Sequence, residues 1–356
     1  MDNLVIKEIN KNNLINNVKI IKEKIGNKKL CAVVKANAYG VGAENVVPII
    51  KDLVDYYAVA SLKEGVQVRE LDKSKPILVL GYTPLSVIKL AIKYDLMLSI
   101  PSKQYVLDLI SASKVVNLSK LKFHLQVNTG LNRFGVRLKE VKAIKKLCEK
   151  NNLQVVGIYT HFATKSRDID FIDYQASNFE KVKKIWGDAI YHCSNSYASL
   201  NKNIDFEQMV RVGFSLYGMD ENDFGLKPVL SIKAKVVNVL IMNKGETLGY
   251  DRTFFADRKT KVAVISIGYA DGFSRRLSNN FEVYINGKSV PIIGRVCMDV
   301  CFANVTGVKV GVLDNVEILG ENVNLNYYAN ALNTSDYEVL LGFNHARANS
   351  VIVSKC

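Results

Sequence analysis

Lys35 stands at the end of a short apolar run, Leu30–Lys35, and is followed by Ala36-Asn37-Ala38-Tyr39-Gly40-Val41-Gly42. A lysine in that place is costly to bury unless it is paired or used. Used, it is an amine whose proton affinity falls with desolvation and neighbouring cations, which makes it a nucleophile and a Schiff-base former. Unused, it snorkels to solvent. Four other apolar runs end in residues able to do chemistry: Gln126-Val127-Asn128-Thr129-Gly130-Leu131-Asn132-Arg133, Tyr159-Thr160-His161-Phe162, His192-Cys193-Ser194-Asn195-Ser196 and Val210-Arg211-Val212-Gly213-Phe214. Singly, each has a structural reading as a core histidine, a surface arginine or a turn glycine. Together they offer cations, a serine hydroxyl and backbone N–H groups beside Gly213, which suit a dianion such as phosphate without a Walker sequence. Two further turns carry unusual residue types. Ser266-Ile267-Gly268-Tyr269-Ala270-Asp271-Gly272-Phe273 sets Tyr269 between glycines, and Gly294-Arg295-Val296-Cys297-Met298-Asp299 follows soon after.

The elements that must position these residues show in the hydrophobic pattern. Strand-like runs fall at Leu30–Lys35, Tyr56–Ser61, Pro76–Gly81, Leu96–Ile100, Leu121–Asn128, Leu153–His161, Ala189–Asn195 and Met209–Gly213, and helix-periodic stretches such as Lys139–Asn151 and Asp170–Trp186 lie between them. Eight strands alternating with helices predict an α/β fold, an N-terminal (β/α)8 barrel of the TIM type, whose strand C-termini form the active face. A doubly wound sheet is the second choice from pattern alone. After Leu226 the texture becomes β-rich, with strand-like runs Val229–Met242, Lys261–Ile267, Phe281–Ile285, Ser289–Ile293 and Val316–Leu319, turns at Asn286-Gly287 and Asn243-Lys244-Gly245, and one helical stretch at Leu325–Leu332. The expected organisation is a barrel domain over 1–226, with a lead-in helix inside residues 1–29, and a mainly β-strand domain over 227–356.

Composition bounds the partners. Lys plus Arg exceed Asp plus Glu by 48 − 34 = 14, but the lysines are spread along the chain and no nucleic-acid motif accompanies them. A basic field of this kind serves small anionic ligands equally well, so neither nucleic acid nor a membrane surface is expected. Six irregularly spaced cysteines make no disulfide framework, and the pair Cys297 and Cys301 completes no metal site. The polar opening of the chain lacks the apolar core of a signal peptide. The most apolar stretch, Val79–Ile100, is broken by Lys89, Lys93 and Asp95. The expectation is a cytoplasmic protein with buried, reduced thiols.

AVVKANAYGVGA around Lys35 resembles the pyridoxal-phosphate lysine motif of the fold-type III alanine racemases. NTGLNRFG, THFAT, NSYAS, VRVGFSLYG, IGYADGFSRR and GRVCMD follow in that family's order over nearly the whole chain. The resemblance implies a barrel carrying pyridoxal phosphate on Lys35, and a homodimer in which the β domain completes the partner's site. It implies Lys35 and Tyr269 as two bases on opposite faces of the substrate Cα, with Tyr269 acting in trans. Tyr39, Ser196, Gly213 and the Phe214 backbone would hold the cofactor's phosphate, with Asn195 as a further cofactor-binding residue. Arg211 would face the pyridine nitrogen, His161 would neighbour the ring, Arg133 would steady the site, and the Met298 backbone would meet the substrate. D-alanine for peptidoglycan is the product the family implies.

Two positions depart from the family's pattern. Gln126 stands where a carbamylated lysine is common, beside Asn128 in place of an aspartate, so Arg133 is expected to be balanced by a bound anion or to be less constrained. At the other end, Leu341-Gly342-Phe343-Asn344-His345-Ala346-Arg347 replaces a tyrosine-bearing tail, with His345, Arg347 or Phe343 as the substitute. These changes leave a serine or broad-specificity racemase open beside the alanine enzyme. A non-catalytic pyridoxal-phosphate carrier would not need Tyr269, and a decarboxylase of the same fold type would carry a different β-domain motif.

Overall fold

The structure, a computed structural model, describes residues 4–164, 168–219, 224–344 and 347–354. The chain divides into two compact units. One is formed by Leu14–Ala38 and Ala43–Lys227, the other by Met1–Asn13, Tyr39–Gly42 and Pro228–Cys356.

In the first unit, eight short strands whose residues are mostly buried run parallel in the order Lys29–Val33, Tyr56–Val59, Ile77–Val79, Leu96–Ile100, Lys122–Asn128, Gln154–Tyr159, Ile190–His192 and Met209–Val212. The last pairs with the first, Met209 opposite Lys29 and Val212 opposite Ala32. The seventh and eighth are joined by Gln208 N–H to Tyr191 O at 2.9 Å and Arg211 N–H to Ser194 O at 3.0 Å, which brings the ring to closure. Strands covered on both sides read as continuous apolar runs, which is why each is visible in the sequence. The helices between them start where side chains cap them: Ser61 accepts from Glu64 N–H, Ser102 from Tyr105, Asp168 from Phe171 and Asn195 from Ala198. A two-residue strand, Val136–Arg137, turns the loop after the fifth strand back alongside it. Most strand ends sit up to three residues inside the expected ones, and Lys35 lies just beyond its strand rather than within it.

The second unit is built on one long strand, Leu230–Met242, whose buried positions alternate over much of its length. It pairs antiparallel with Thr260–Ile265, Asn315–Leu319 and Val5–Asn10. Val5–Asn10 also runs parallel to Asn349–Val353. The chain's opening is therefore a strand of the β unit, with the lead-in helix confined to Lys11–Ile25. The cause lies in VIKEIN, which alternates buried and half-buried residues with period two and cannot present one helical face. Five strands of this unit, Val5–Asn10, Thr247–Leu248, Phe254–Phe255, Cys301–Asn304 and Asn349–Val353, and a helix at Asp336–Gly342 are additions to the sequence reading. Glu282–Ile285 and Lys288–Pro291 form the hairpin signalled by Asn286-Gly287, both of which have positive φ, 47° and 84°. An aromatic cluster of Phe273, Phe281, Tyr328 and Phe343 fills the space behind the Tyr269 turn, with ring centroids 4.8–6.3 Å apart.

Among the described residues, no helix is long and apolar enough to cross a membrane. Cys31, Cys148, Cys193 and Cys301 are buried free thiols, and Cys297 is half-buried.

Candidate active site

The first barrel strand delivers Lys35 into a left-handed turn. Ala36, Asn37, Ala38 and Tyr39 have φ of 52°, 52°, 53° and 56°, followed by Gly40 at 85°. Each L-residue there costs about 1–2 kcal/mol, so the surroundings must over-determine the conformation. In the barrel unit, Ala36 N–H donates to Glu64 Oε1 at 2.8 Å, Ala38 N–H to Val34 O at 3.0 Å, and Ala43 N–H to Asn37 Oδ1 at 2.7 Å. In the β unit, the buried Lys7 donates from Nζ to Gly40 O at 2.9 Å. A Cβ on Gly40 would lie 2.7 Å from Leu340 O, so only glycine closes that turn. Tyr39 packs near Tyr337, with centroids 6.0 Å apart. The half-buried Lys35 ammonium is held below its ordinary pKa by desolvation and then by Arg133, against the opposing pull of Glu64.

Inside the barrel, Arg211 is buried at 4 % exposure and spends its N–H groups on neutral acceptors. Nη1 donates to His192 O at 2.8 Å, and Nη2 to Thr160 O at 2.7 Å and Cys193 O at 3.3 Å. Nη1 also lies 2.8 Å from His192 Nδ1, and Nη2 3.4 Å from His161 Nδ1. A guanidinium can only donate. His192 Nδ1 must therefore accept, its proton sits on Nε2, and that proton goes to His124 Nδ1 at 2.8 Å. His124 in turn carries its proton on Nε2, a buried atom without a partner. Burial, followed by the Arg211 charge, pushes both His124 and His161 down to about 3 and His192 well below its ordinary range. The Tyr159 ring stacks on His192 at 5.0 Å and takes the Arg211 charge 5.2 Å from its centre.

At the last two strands, Ser196 Oγ accepts from Gly213 N–H at 3.1 Å and Ser215 N–H at 3.5 Å. Its own proton is left to donate. Asn195 Oδ1 is engaged in capping, accepting from Ala198 N–H at 3.0 Å, and Phe214 is buried at the start of a short 3-10 turn. Ser196 and Phe214 thus sit where two helical turns begin.

Gln126 Oε1 accepts from the Tyr159 hydroxyl at 3.0 Å, and that hydroxyl also lies 2.9 Å from Ser99 Oγ. No hydrogen bond joins Gln126 to Arg133, whose side chain is exposed. Asn128 Oδ1 accepts from Gly130 N–H at 3.0 Å and Asn132 N–H at 3.1 Å, which shapes the loop that carries Arg133 without needing a carboxylate. Gln175, buried in the helix Ile169–Trp186, ties two loops together: Nε2 donates to Thr129 Oγ1 at 3.1 Å and His161 O at 3.2 Å, and Oε1 accepts from Ala163 N–H at 2.8 Å. Glu64 and Gln175 are absent from the sequence reading. Ser61-x-x-Glu64 is a capping-box signature that could have drawn attention to Glu64. Gln175 carries no comparable signal.

The β unit presents Tyr269, 42 % exposed, from a single helical turn. Gly268 N–H donates to Asp271 Oδ2 at 3.0 Å, Tyr269 N–H to Cys297 O at 3.1 Å, and Ala270 N–H to Met298 O at 3.0 Å. The two unusual turns of the sequence are thus one structure, and Met298 is also exposed. Arg347 binds it from a third side, with Nε 3.2 Å from the buried Asp271 and Nη1 2.8 Å from Asp299. His345 lies outside the described residues. A Cβ on Gly268 would fall 2.2 Å from Met298 O and 2.4 Å from Cys297 O. Gly268→Ala is accordingly expected to cost about 1–3 kcal/mol in urea unfolding. Gly311→Ala, which meets nothing within 4 Å, should change stability by less than about 0.5 kcal/mol.

Fold and site together define a class: an enzyme in which an eight-stranded barrel carries a desolvated lysine past its first strand and a separate β unit carries a presented tyrosine. Comparison with known proteins gives it a name. The model of the alanine racemase N-terminal domain matches residues 9–221, and that of the C-terminal domain residues 229–351. The alanine racemase of Clostridium kluyveri is 34 % identical over 94 % of this chain and 91 % of its own. Among solved structures, alanine racemase from Clostridium difficile 630 matches with a TM-score of 0.93 at 31 % identity, covering 99 % of this chain and 97 % of that one. The alanine racemase from Bartonella henselae, described with covalently bound pyridoxal phosphate, matches with a TM-score of 0.90 at 26 % identity, covering 98 % and 99 %. The chain belongs to the alanine racemase family.

Proposed function

We propose that this protein interconverts L- and D-alanine with pyridoxal phosphate held on Lys35, and works as a cytoplasmic homodimer that supplies D-alanine for peptidoglycan. The residues present fit the cofactor. A desolvated amine stands at Lys35, and the Ser196 hydroxyl, its oxygen already engaged by Gly213 N–H, has a proton for a phosphate oxygen. Tyr39 and the Phe214 backbone would complete that end, with Asn195 and His161 as further cofactor-binding residues. Bound there, the cofactor supplies an electron sink for the pair left at Cα.

The chain's own residues do the rest. Racemisation removes a proton from one face of Cα and delivers another to the opposite face, which calls for two groups. Lys35 Nζ handles the proton of the D-isomer. The phenolic oxygen of the partner subunit's Tyr269 handles that of the L-isomer, with the partner subunit's Met298 beside the substrate. Arg133 steadies the lysine side. Arg211, held by five contacts to neutral groups, would face the ring nitrogen while keeping its own proton. That limits how far the ring draws electrons, and with it side reactions such as transamination.

The observation that carries this reading is the Tyr269 turn, built from Gly268, Asp271, Cys297 and Met298, because a cofactor carrier has no use for a second base. Chiral chromatography of the cofactor-loaded protein with L-alanine, L-serine, L-lysine and L-arginine tests it. D-alanine as the dominant product is expected. Several D-products would mean that Gln126 and the altered C-terminal segment widen specificity, and no product would leave the carrier.

A further inference from the structure

Glu64 lies outside every motif read above, yet its carboxylate joins the loops after the first two barrel strands. Oε1 accepts from Ala36 N–H at 2.8 Å, and Oε2 from Ala60 N–H at 2.7 Å and Ser61 N–H at 3.1 Å. Its backbone N–H returns a bond to Ser61 Oγ at 3.3 Å, so the same residue is both the start of the helix Leu62–Leu71 and the anchor of the peptide after Lys35. An acidic residue in the first turn of a helix is ordinary. A helix cap has no need of a bond to a residue 28 positions earlier in a left-handed turn.

We propose that Glu64 is the positioning residue of Lys35: by holding the Ala36 peptide while anchored to Ala60 and Ser61, it fixes the backbone from which the lysine projects. Importance for turnover rests on the racemase reading; the effect on the amine does not. Charged and titratable groups set around Lys35 include Arg133 from the loop after the fifth strand, His161 from the loop after the sixth, and Glu64 from the helix after the second. His161 stays neutral. Arg133 and burial both oppose a protonated lysine, and Glu64 is the negative charge that favours it. A base that must take a proton from one isomer and return it needs both states within reach.

The test uses the full-length chain and two probes. Trinitrobenzenesulfonate, which reacts with unprotonated amines, is applied across a pH series to the protein freed of cofactor, and labelling is quantified on the Lys35 peptide by mass spectrometry. Pyridoxal phosphate capture, fixed by borohydride and located on the same peptide, reads the cofactor assignment separately. Glu64→Gln should move the labelling midpoint of Lys35 to lower pH, with labelling below that midpoint faster by roughly three- to tenfold. Glu64→Asp, which keeps the charge, should restore most of the profile even if it folds less stably than Glu64→Gln. Ser61→Ala, which damages the helix start alone, should leave the midpoint in place. In the loaded enzyme, Glu64→Gln should lower kcat more than it changes KM. An unmoved midpoint in Glu64→Gln, or an equal movement in Ser61→Ala, overturns the proposal. Absence of pyridoxal phosphate on Lys35 in the unaltered chain, with the midpoint still moving in Glu64→Gln, would keep the role of Glu64 and remove the racemase reading instead.

Discussion

Tyr269→Phe is expected to reduce kcat/KM by on the order of 10²–10⁴-fold, and by the same factor for both enantiomers. The equality is thermodynamic: L- and D-alanine have equal free energy in water, so no substitution can slow one direction alone. The asymmetry appears in proton exchange instead. If Lys35 serves the D-isomer's face, the variant should still wash deuterium from solvent into D-alanine, with retention of configuration, while L-alanine keeps its proton. Proton NMR in heavy water follows both reactions in one tube, and the cofactor's visible absorbance reports that it stays bound. The ring of phenylalanine preserves the packing of the turn, whose hydrogen bonds are all made by backbone groups and Asp271, so a loss of activity would belong to the hydroxyl. A racemisation rate like that of the unaltered enzyme, or exchange of L-alanine at its usual rate, would take Tyr269 out of the reaction.

Acid should unfold the cofactor-free protein well above the pH at which carboxylates titrate. His124 and His161 stay neutral down to about 3, and His192 is likewise held well below its ordinary range, because they are buried and share the field of Arg211. In the unfolded chain each would take up a proton near pH 6.5. The unfolded state thus binds more protons throughout the window between the two values, and its share grows as pH falls. Stability is whole above about pH 6.5 and declines below it, with each imidazole contributing up to about 1.4 kcal/mol per pH unit. Urea unfolding at pH 7.5, 6.5, 5.5 and 5.0 measures the slope before most carboxylates respond. His124→Gln, which removes a histidine with an unpartnered buried nitrogen, should reduce that slope by about one proton's worth. A flat profile between pH 6.5 and 5 would mean that these imidazoles are protonated in the fold.

The eight barrel strands were legible because a parallel strand buried on both faces is a plain apolar run, and five of them run on into residues able to do chemistry. Strands of the β unit were legible where they were long, as at Leu230–Met242, or bounded by a turn such as Asn286-Gly287. Val5–Asn10 was hidden by its proximity to the periodic stretch that becomes the helix Lys11–Ile25, and Cys301–Asn304 by an adjoining turn that drew attention for its chemistry. The left-handed run after Lys35 could not be read at all. Ala36, Asn37, Ala38 and Tyr39 have no shared preference for positive φ, and what enforces it comes from Glu64 and Asn37, together with Lys7 and Leu340 acting on Gly40. The same holds for the tautomers of His192 and His124, which are dictated by an arginine distant in sequence. Pattern finds the reactive residues, because each is costly where it stands. Their partners are ordinary residue types whose role depends on three-dimensional proximity.

The place of Val5–Asn10 between Leu230–Met242 and Asn349–Val353 also fixes an order of events during biosynthesis. At roughly 5–20 residues per second, Val5–Asn10 waits on the order of tens of seconds after its own synthesis for Asn349–Val353 to be made. Residues 14–38 and 43–227 can meanwhile gather into the barrel, since every strand of that ring lies within them. Two stretches of nascent chain, residues 4–13 and 39–42, must stay available through that interval, and the second directly follows the turn that carries Lys35. Gly40, which closes the turn after Lys35, meets Lys7 and Leu340, so that turn gains its last contact only once the chain has been made as far as residue 340.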